Sequence, residues 1–204
     1  MPKQEAPLDY LTRFMPSAAA VRIFEYLHKY KVHLTITQER RSVLGDYRHK
    51  TFLKAHRISI NGNMNSYAFL ITLIHELAHL VTFTEHGNRV QAHGKEWKML
   101  YAFLLKDFIG QEIFPSDIEH YLKQSIPNLP ASSCSDDHLT RLLKKYDAQH
   151  NGLLWVEQIS EGNLFEEQGR IFKKGKKLRK RYQCTEIKTG KVYLFSPVYE
   201  VKAV

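Results

Sequence analysis

A long apolar stretch from Tyr67 to Val81 predicts a buried helix. Its polar positions are Tyr67, Thr72, His75, Glu76 and His79. A helix that is apolar on nearly every side is typical of a protein core. We expect it to begin near Asn65 or Ser66 and to end at Gly87-Asn88, because glycine and asparagine commonly follow the last turn of a helix.

Weaker patterns before this stretch predict one helix and a small sheet. Residues 17–30 fit a helix capped by Ser17. Its expected inward positions are Val21, Phe24 and Leu27, with Ala20 and Tyr30 as further candidates. Residues 32–37 alternate and are rich in β-branched side chains, which predicts a strand, and residues 56–60 predict another. Between the two, residues 41–50 predict a turn or hairpin around Gly45-Asp46.

After the buried helix the sequence predicts three further helices. A periodic apolar pattern begins at His93-Gly94, and a short helix follows Pro115. A third helix covers residues 136–146, with Ser135 as its cap. The Pro- and Ser-rich residues 127–135 before it predict a linker.

From Leu153 onward, short β-like runs are punctuated by glycine. They cover residues 153–159, 164–172, 178–186 and 191–195, with a tight hairpin at Thr189-Gly190. The expected fold class is therefore α+β. A small antiparallel sheet packs on the buried helix and further helices, and a small C-terminal antiparallel β module follows. We place the domains at residues 1–150 and 151–204.

Composition favours a folded protein of the cytoplasm. A chain of 204 residues with 43% hydrophobic content can hold one substantial core, or a main domain with a small appendage. Two cysteines are too few for a disulfide framework, and the first residues lead into no apolar signal segment. No run approaches 18 consecutive apolar residues, so we expect no membrane span.

The polar positions within the buried helix carry the chemistry. His75 and His79 are four residues apart, so both lie on one helical face and can bind one zinc ion. Glu76 follows the first histidine and can act as general base for a water molecule at the open side of the metal. Burying two imidazoles and a carboxylate is costly without such a partner. The pattern therefore predicts a metal site.

Catalytic zinc usually takes three protein ligands, so a third is expected. His86 lies about 10 Å further along the helix than the second histidine, which is too far. His93 follows the helix stop and can fold back beside it, and Glu96 is the alternative ligand. The metzincin pattern does not fit, because Thr82 and Glu85 stand where it requires glycine and histidine.

The motif His75-Glu76-x-x-His79 followed by His93-Gly94-x-x-Trp97 resembles the SprT-like zinc metallopeptidases, which include the Spartan proteases that act on DNA–protein crosslinks. The similarity covers roughly residues 20–110. The resemblance implies that His75, His79 and His93 bind one catalytic zinc ion and that Glu76 is the catalytic glutamate. It also implies a small sheet before the metal helix, and protein substrates associated with DNA.

The chain departs from this family near its C-terminus. Many SprT-like proteins carry a zinc ribbon there, built from two C-x-x-C pairs. This sequence retains Cys184, but Ile187 stands where the second cysteine of the pair would be, and Cys134 is isolated. We therefore expect no second, structural zinc, and a C-terminal module held together by apolar packing.

Positive charge is concentrated between residues 170 and 181. This basic segment contains no acid, and its cations are Arg170, Lys173, Lys174, Lys176, Lys177, Arg179, Lys180 and Arg181. The net charge of the whole chain is +9, so the rest of the chain sums to +1. Such a cluster attracts nucleic acid, and the flanking Phe172 and Tyr182 could stack on unpaired bases. The alternative is a solvated lysine-rich strand edge.

Two functions follow from these features. The first is a zinc endopeptidase that cleaves protein substrates near DNA or another nucleic acid. Candidate donors to its oxyanion are Tyr47, Arg48, Tyr67 and Tyr101. The second is a non-catalytic nucleic-acid-binding protein in which the metal helix is only structural. The intact Glu76 favours the enzyme, because a structural site does not need it.

Overall fold

The computed structural model describes residues 8–40, 43–129, 136–148 and 152–204 of the chain. The chain forms two compact units, Met1–Asp147 and Ala148–Val204. The domain boundary that we predicted between residues 150 and 151 lies outside the described residues.

The first unit contains helices and a three-stranded sheet, and the second a six-stranded sheet. The first unit has α1 Leu8–Leu11, α2 Ser17–Lys29, β1 His33–Thr37, β2 Gly45–Arg48, β3 Arg57–Asn61, α3 Ser66–His86, α4 Lys95–Lys106, α5 Ser116–Ser125 and α6 Asp137–Lys144. The second unit has β4 Leu154–Trp155, β5 Leu164–Glu167, β6 Arg170–Lys177, β7 Tyr182–Glu186, β8 Val192–Phe195 and β9 Glu200–Ala203. The predicted α+β class is confirmed.

The small sheet of the first unit has the strand order β1-β3-β2. β2 pairs antiparallel with β3, whereas β1 pairs parallel with it, so the sheet is mixed rather than antiparallel as expected. The reason is the path of the chain. After β1 it crosses to the far side of β3, forms β2 there and returns as the central strand, so β1 and β3 run in the same direction.

α3 is the core helix of the first unit, as its apolar sequence predicts. Asn65 caps it by accepting a hydrogen bond from the backbone N–H of Ala68, and Gly87 ends it with φ near 62°. By length and composition this helix could also cross a membrane, but 72% of its most apolar window is buried inside the protein. That burial is the normal state of a core helix.

α2 buries only part of the face that we predicted: Ala20 is buried and Leu27 and Tyr30 pack against the core, but the other two expected positions do not. Ala19, Ala20 and Ile23 are fully buried, whereas Val21 is 59% exposed and Phe24 37% exposed. The helix carries two apolar stripes, and the one that contains Ala19, Ile23 and Tyr26 faces the core. The sequence pattern alone could not rank the two stripes.

α6 is capped by Asp136, whose side chain accepts hydrogen bonds from the backbone N–H groups of His138 and Leu139. Ser135, which we predicted as the cap, and residues 130–134 of the predicted linker lie outside the described residues. The Asp136 carboxylate also accepts a hydrogen bond from the Tyr121 hydroxyl, which ties α6 to α5.

The second unit is a single antiparallel sheet with the order β4-β9-β5-β6-β7-β8. One face carries its small apolar core, which consists of Val156, Ile159, Phe165, Phe172, Cys184 and Val201. The rings of Phe165 and Phe172 stack at 5.5 Å between centroids. This unit matches the predicted antiparallel β module.

Candidate active site

The structure brings the three predicted metal ligands together. His75 and His79 lie one turn apart on α3, with 3.2 Å between their Nε2 atoms. His93 comes from the loop before α4, and its Nε2 is also 3.2 Å from that of His75. One ligand atom from each histidine lies within 4.8 Å of the others, so the group could hold a metal ion.

The spacing of these nitrogens fits a tetrahedral metal. Zinc–nitrogen bonds of about 2.0–2.1 Å at tetrahedral angles place two ligand nitrogens about 3.3–3.4 Å apart. The two 3.2 Å separations are close to that value. Without a cation, the lone pairs of three neutral imidazole nitrogens directed at one point would repel one another. The geometry therefore suits a bound metal ion.

The backbone at His93 is strained. His93 has φ near 60°, in the left-handed region that few non-glycine residues adopt, and Gly94 follows as the N-cap of α4. Such a conformation costs on the order of 1–3 kcal/mol and is typical of functional sites. Here it turns the imidazole back toward α3. Glu96, the alternative ligand, is not in the cluster that could hold a metal within the described chain.

Burial keeps the three histidines neutral. It lowers the pKa of His75 to about 3 and that of His79 to about 4, and the neighbouring imidazoles act in the same direction. Burial lowers the pKa of His93 as well. A neutral imidazole has a free lone pair for a metal, so the site is prepared for a cation at neutral pH.

Trp97 forms the wall behind the three histidines. Its ring centroid lies 4.7 Å from His75, 5.2 Å from His79 and 4.7 Å from His93, and Tyr101 stacks on it at 4.9 Å. The Nδ1 of His75 and the Nε1 of Trp97 are buried without a hydrogen-bond partner among the described residues. Aromatic packing therefore orients His75.

Glu76 faces β2. Burial and the nearby charge of Asp46 raise the pKa of its carboxyl group to about 8, while a hydrogen bond from the backbone N–H of Tyr47 acts in the opposite direction. β2 can approach this closely because its first residue is Gly45. A Cβ atom there would lie 2.8 Å from Oε1 of Glu76 and 2.8 Å from Cγ2 of Thr72.

A cleft of about 320 Å³ opens over the metal site. Its lining consists of Val43, Leu44, Gly45, Asp46, Tyr47, Thr72, His75, Glu76, His79 and His93. Sequence reasoning missed the contribution of residues 43–46. The glycine and aspartate at the start of a strand were visible, but only the tertiary structure places them beside the metal helix.

Of the four candidate oxyanion donors, only Tyr47 lines the cleft. Its hydroxyl group is 2.8 Å from Nδ1 of His56. Arg48 is exposed and paired with a neighbouring carboxylate at 2.7 Å. Neither Tyr67 nor Tyr101 lines the cleft: Tyr67 packs on Phe114, and Tyr101 packs on Trp97 and on the ring of His75.

Residues 15–115 match the model of the SprT-like family. Through this region the chain belongs to the SprT-like family. The match contains the sheet, the metal helix and the whole histidine cluster. Comparison with curated proteins and with solved structures gave no match.

The basic segment lies on β6 and on the turn that leads into β7, and six of its eight cations are exposed. They are Lys173, Lys176, Lys177, Arg179, Lys180 and Arg181. Arg170 is paired with Glu186 at 2.7 Å. Phe172 is 1% exposed, so it cannot stack on a base as predicted, whereas Tyr182 is half-buried.

Lys174 is the buried member of the segment. It is 5% exposed, and its ammonium group donates hydrogen bonds to the backbone carbonyls of Ile159 and Glu157. The ring of Tyr182 covers it, with 4.1 Å from Nζ to the ring centroid. Burial lowers the pKa of this ammonium group. Lys174 therefore stabilises its own unit through these hydrogen bonds, and its ammonium group is not accessible to a binding partner.

Proposed function

We propose that this SprT-like chain is a zinc-dependent endopeptidase. The observation that carries the proposal is the convergence of His75, His79 and His93, with Glu76 beside them in one cleft. A purely structural metal site has no use for a buried carboxylate at its open side. The family match over residues 15–115 supports the same conclusion.

A zinc ion held by the three histidines supplies Lewis acidity to a water molecule and to the scissile carbonyl. Glu76 takes the proton from the attacking water on its carboxylate and returns it to the amine of the leaving peptide. Burial raises the pKa of this carboxyl group, which makes its ionised form a stronger proton acceptor than an exposed glutamate. The hydrogen bond from Tyr47 holds the carboxylate in place.

The cleft is suited to a segment of protein chain. β2 lines it and pairs with β3 on one side only among the described strands. An extended substrate backbone could add to the free edge of β2, as peptides often do at exposed sheet edges. This arrangement would lay the substrate across the metal site.

We also propose that the substrates are proteins bound to DNA or another nucleic acid, in the cytoplasm. The support is the six exposed cations of the basic segment, with no acid among residues 170–181. Reversing the charge of Lys173, Lys176 and Lys177 should weaken nucleic-acid binding and flatten its salt dependence. Every phosphate that is no longer neutralised should reduce the salt slope by about 0.7–0.9 log units per tenfold change in salt. Reversal of Lys188 and Lys191, exposed in the same unit, is the control and should have a smaller effect.

The peptidase proposal is tested by zinc removal and return. The zinc-loaded protein is incubated with a DNA-binding protein, with and without single-stranded DNA, and products are identified by mass spectrometry. We expect internal cleavage that chelation abolishes and added zinc restores. A zinc-loaded protein that binds nucleic acid but cleaves neither the substrate nor itself would favour the non-catalytic alternative.

A further inference from the structure

The connection between β2 and β3 exposes two large apolar side chains. Phe52 is 103% exposed and Leu53 is 85% exposed. They occupy the tip of a closed turn, in which Thr51 and Lys54 exchange backbone hydrogen bonds of 2.8 and 3.3 Å. We call residues 48–57 the Phe52 turn.

The base of the Phe52 turn is anchored. Nδ1 of His56 accepts hydrogen bonds from the Tyr47 hydroxyl at 2.8 Å and from the Lys50 backbone N–H at 3.3 Å. The ring of His49 stacks on Phe83 of α3, with 4.5 Å between centroids. The turn is therefore held on the metal helix while its apolar tip remains in water, which is unfavourable unless a partner covers it.

The Phe52 turn is also strongly cationic. Between Asp46 and Glu76 the sequence contains four lysine or arginine residues and no acid. Two of them, Arg48 and Arg57, stand opposite each other in the β2–β3 ladder, where like charges disfavour pairing. Asp46 pairs with Arg48, whose side chain is still 67% exposed, and Arg57 is half-buried. The arrangement suits an anionic partner.

The positions of the cations indicate what kind of anion. Lys50 and Lys54 lie near the tip, whereas Arg48 and Arg57 lie at the base. A flat bilayer that receives the tip would meet mainly the first pair. A polyanion lying along the turn can meet both pairs, and an aromatic side chain beside cations is the common arrangement for binding unpaired nucleotides.

We infer that the Phe52 turn binds single-stranded nucleic acid, with Phe52 stacked on an unpaired base and the four cations on phosphates. Phe52 lies five positions after Tyr47 of the cleft lining, a span of at most about 18 Å. A strand held there lies within reach of the metal site. The binding itself does not depend on the proposed function. Its purpose does rest on that function, because the strand would present the proteins it carries to the peptidase.

Binding is measured by fluorescence anisotropy of a labelled single-stranded oligonucleotide with the full chain. Phe52→Ala should weaken binding about 5- to 150-fold, the range typical of removing one base stack. Phe103→Ala is the matched control, because Phe103 is 63% exposed on α4, and it should leave binding unchanged. Lys50→Glu with Lys54→Glu should reduce the salt slope by about 1.4 log units, since two phosphates are no longer neutralised.

Photo-crosslinking locates the binding site directly. A bromouracil-substituted strand should crosslink to a peptide within residues 48–57. Wild-type affinity in Phe52→Ala together with no crosslink there would overturn the inference. So would Phe52-dependent binding seen only with phosphatidylserine vesicles, which would make the turn a lipid-binding element. Intact oligonucleotide binding without cleavage would instead count against the proposed peptidase alone.

Discussion

Substituting Gly45 by alanine places a methyl group against the proposed general base. The new Cβ would lie 2.8 Å from Oε1 and 2.9 Å from Cγ of Glu76, and 2.8 Å from Cγ2 of Thr72. Ordinary contacts begin near 3.4 Å, so Glu76 or β2 must move by about 0.6 Å. Because Glu76 is buried and Thr72 blocks the other side, we expect the carboxylate to be displaced.

The expected loss is in catalysis rather than in metal binding. A misplacement of 1 Å at a reacting group can cost about 100-fold in rate, so a shift of about 0.6 Å should lower kcat by about tenfold to 100-fold. Zinc content should stay at the wild-type level, because no histidine touches the new methyl group among the nearest atoms. The assay is steady-state cleavage of a protein substrate, with zinc measured on the same preparations.

Gly62→Ala is the matched control. A Cβ at Gly62 would lie 2.7 Å from Cγ2 of Ile36, which is an equally close approach outside the cleft lining. It should lower stability by about 1–3 kcal/mol, as overpacking commonly does, and leave kcat unchanged. Wild-type kcat in Gly45→Ala, or a reduced kcat that zinc depletion fully explains, would refute the positioning role of this glycine.

Three further predictions concern other parts of the molecule. His93→Ala should lose most of its zinc by elemental analysis, and full occupancy would move the third ligand to Glu96 or elsewhere. Lys174→Met should lower the free energy of unfolding by about 1–3 kcal/mol for each carbonyl left without a donor, whereas Lys173→Met, adjacent and exposed, should not; equal effects would contradict the stabilising role. Burial lowers the pKa of His56 below its ordinary value of 6.5, so below about pH 6.5 the unfolded chain takes up a proton that the folded state does not. The stabilising contribution of His56 is therefore present above about pH 6.5 and is lost as the pH falls below that value. Thermal unfolding between pH 8 and 5 should show a smaller acid loss in His56→Gln than in the wild type, and parallel curves would refute this assignment.

The metal helix was predictable because its information is local. The 15-residue apolar run, the four-residue spacing of His75 and His79, and the capping residues Asn65 and Gly87 all act within a few turns of chain. The C-terminal β module was predictable for a similar reason, since alternation and glycine turns are short-range signals.

The remaining features depend on contacts between distant segments. The close approach of Gly45 to α3 requires the fold, as does the choice between the two apolar stripes of α2. Lys174 has the same sequence surroundings as its exposed neighbours, and only the position of Ile159 explains why its ammonium group is buried. The positive charge of the Phe52 turn was also missed, because acidic residues elsewhere cancel it in the net charge of +1 outside the basic segment.

The central claim is most directly tested by comparing the wild type with Glu76→Gln at equal, measured zinc content. The amide has nearly the same shape as the carboxylate but cannot accept the proton of the attacking water. We predict that both proteins bind one zinc per chain and that the variant cleaves a protein substrate about 10²–10⁴ times more slowly. Cleavage by the variant at the wild-type rate, with zinc in place, would contradict the proposed mechanism.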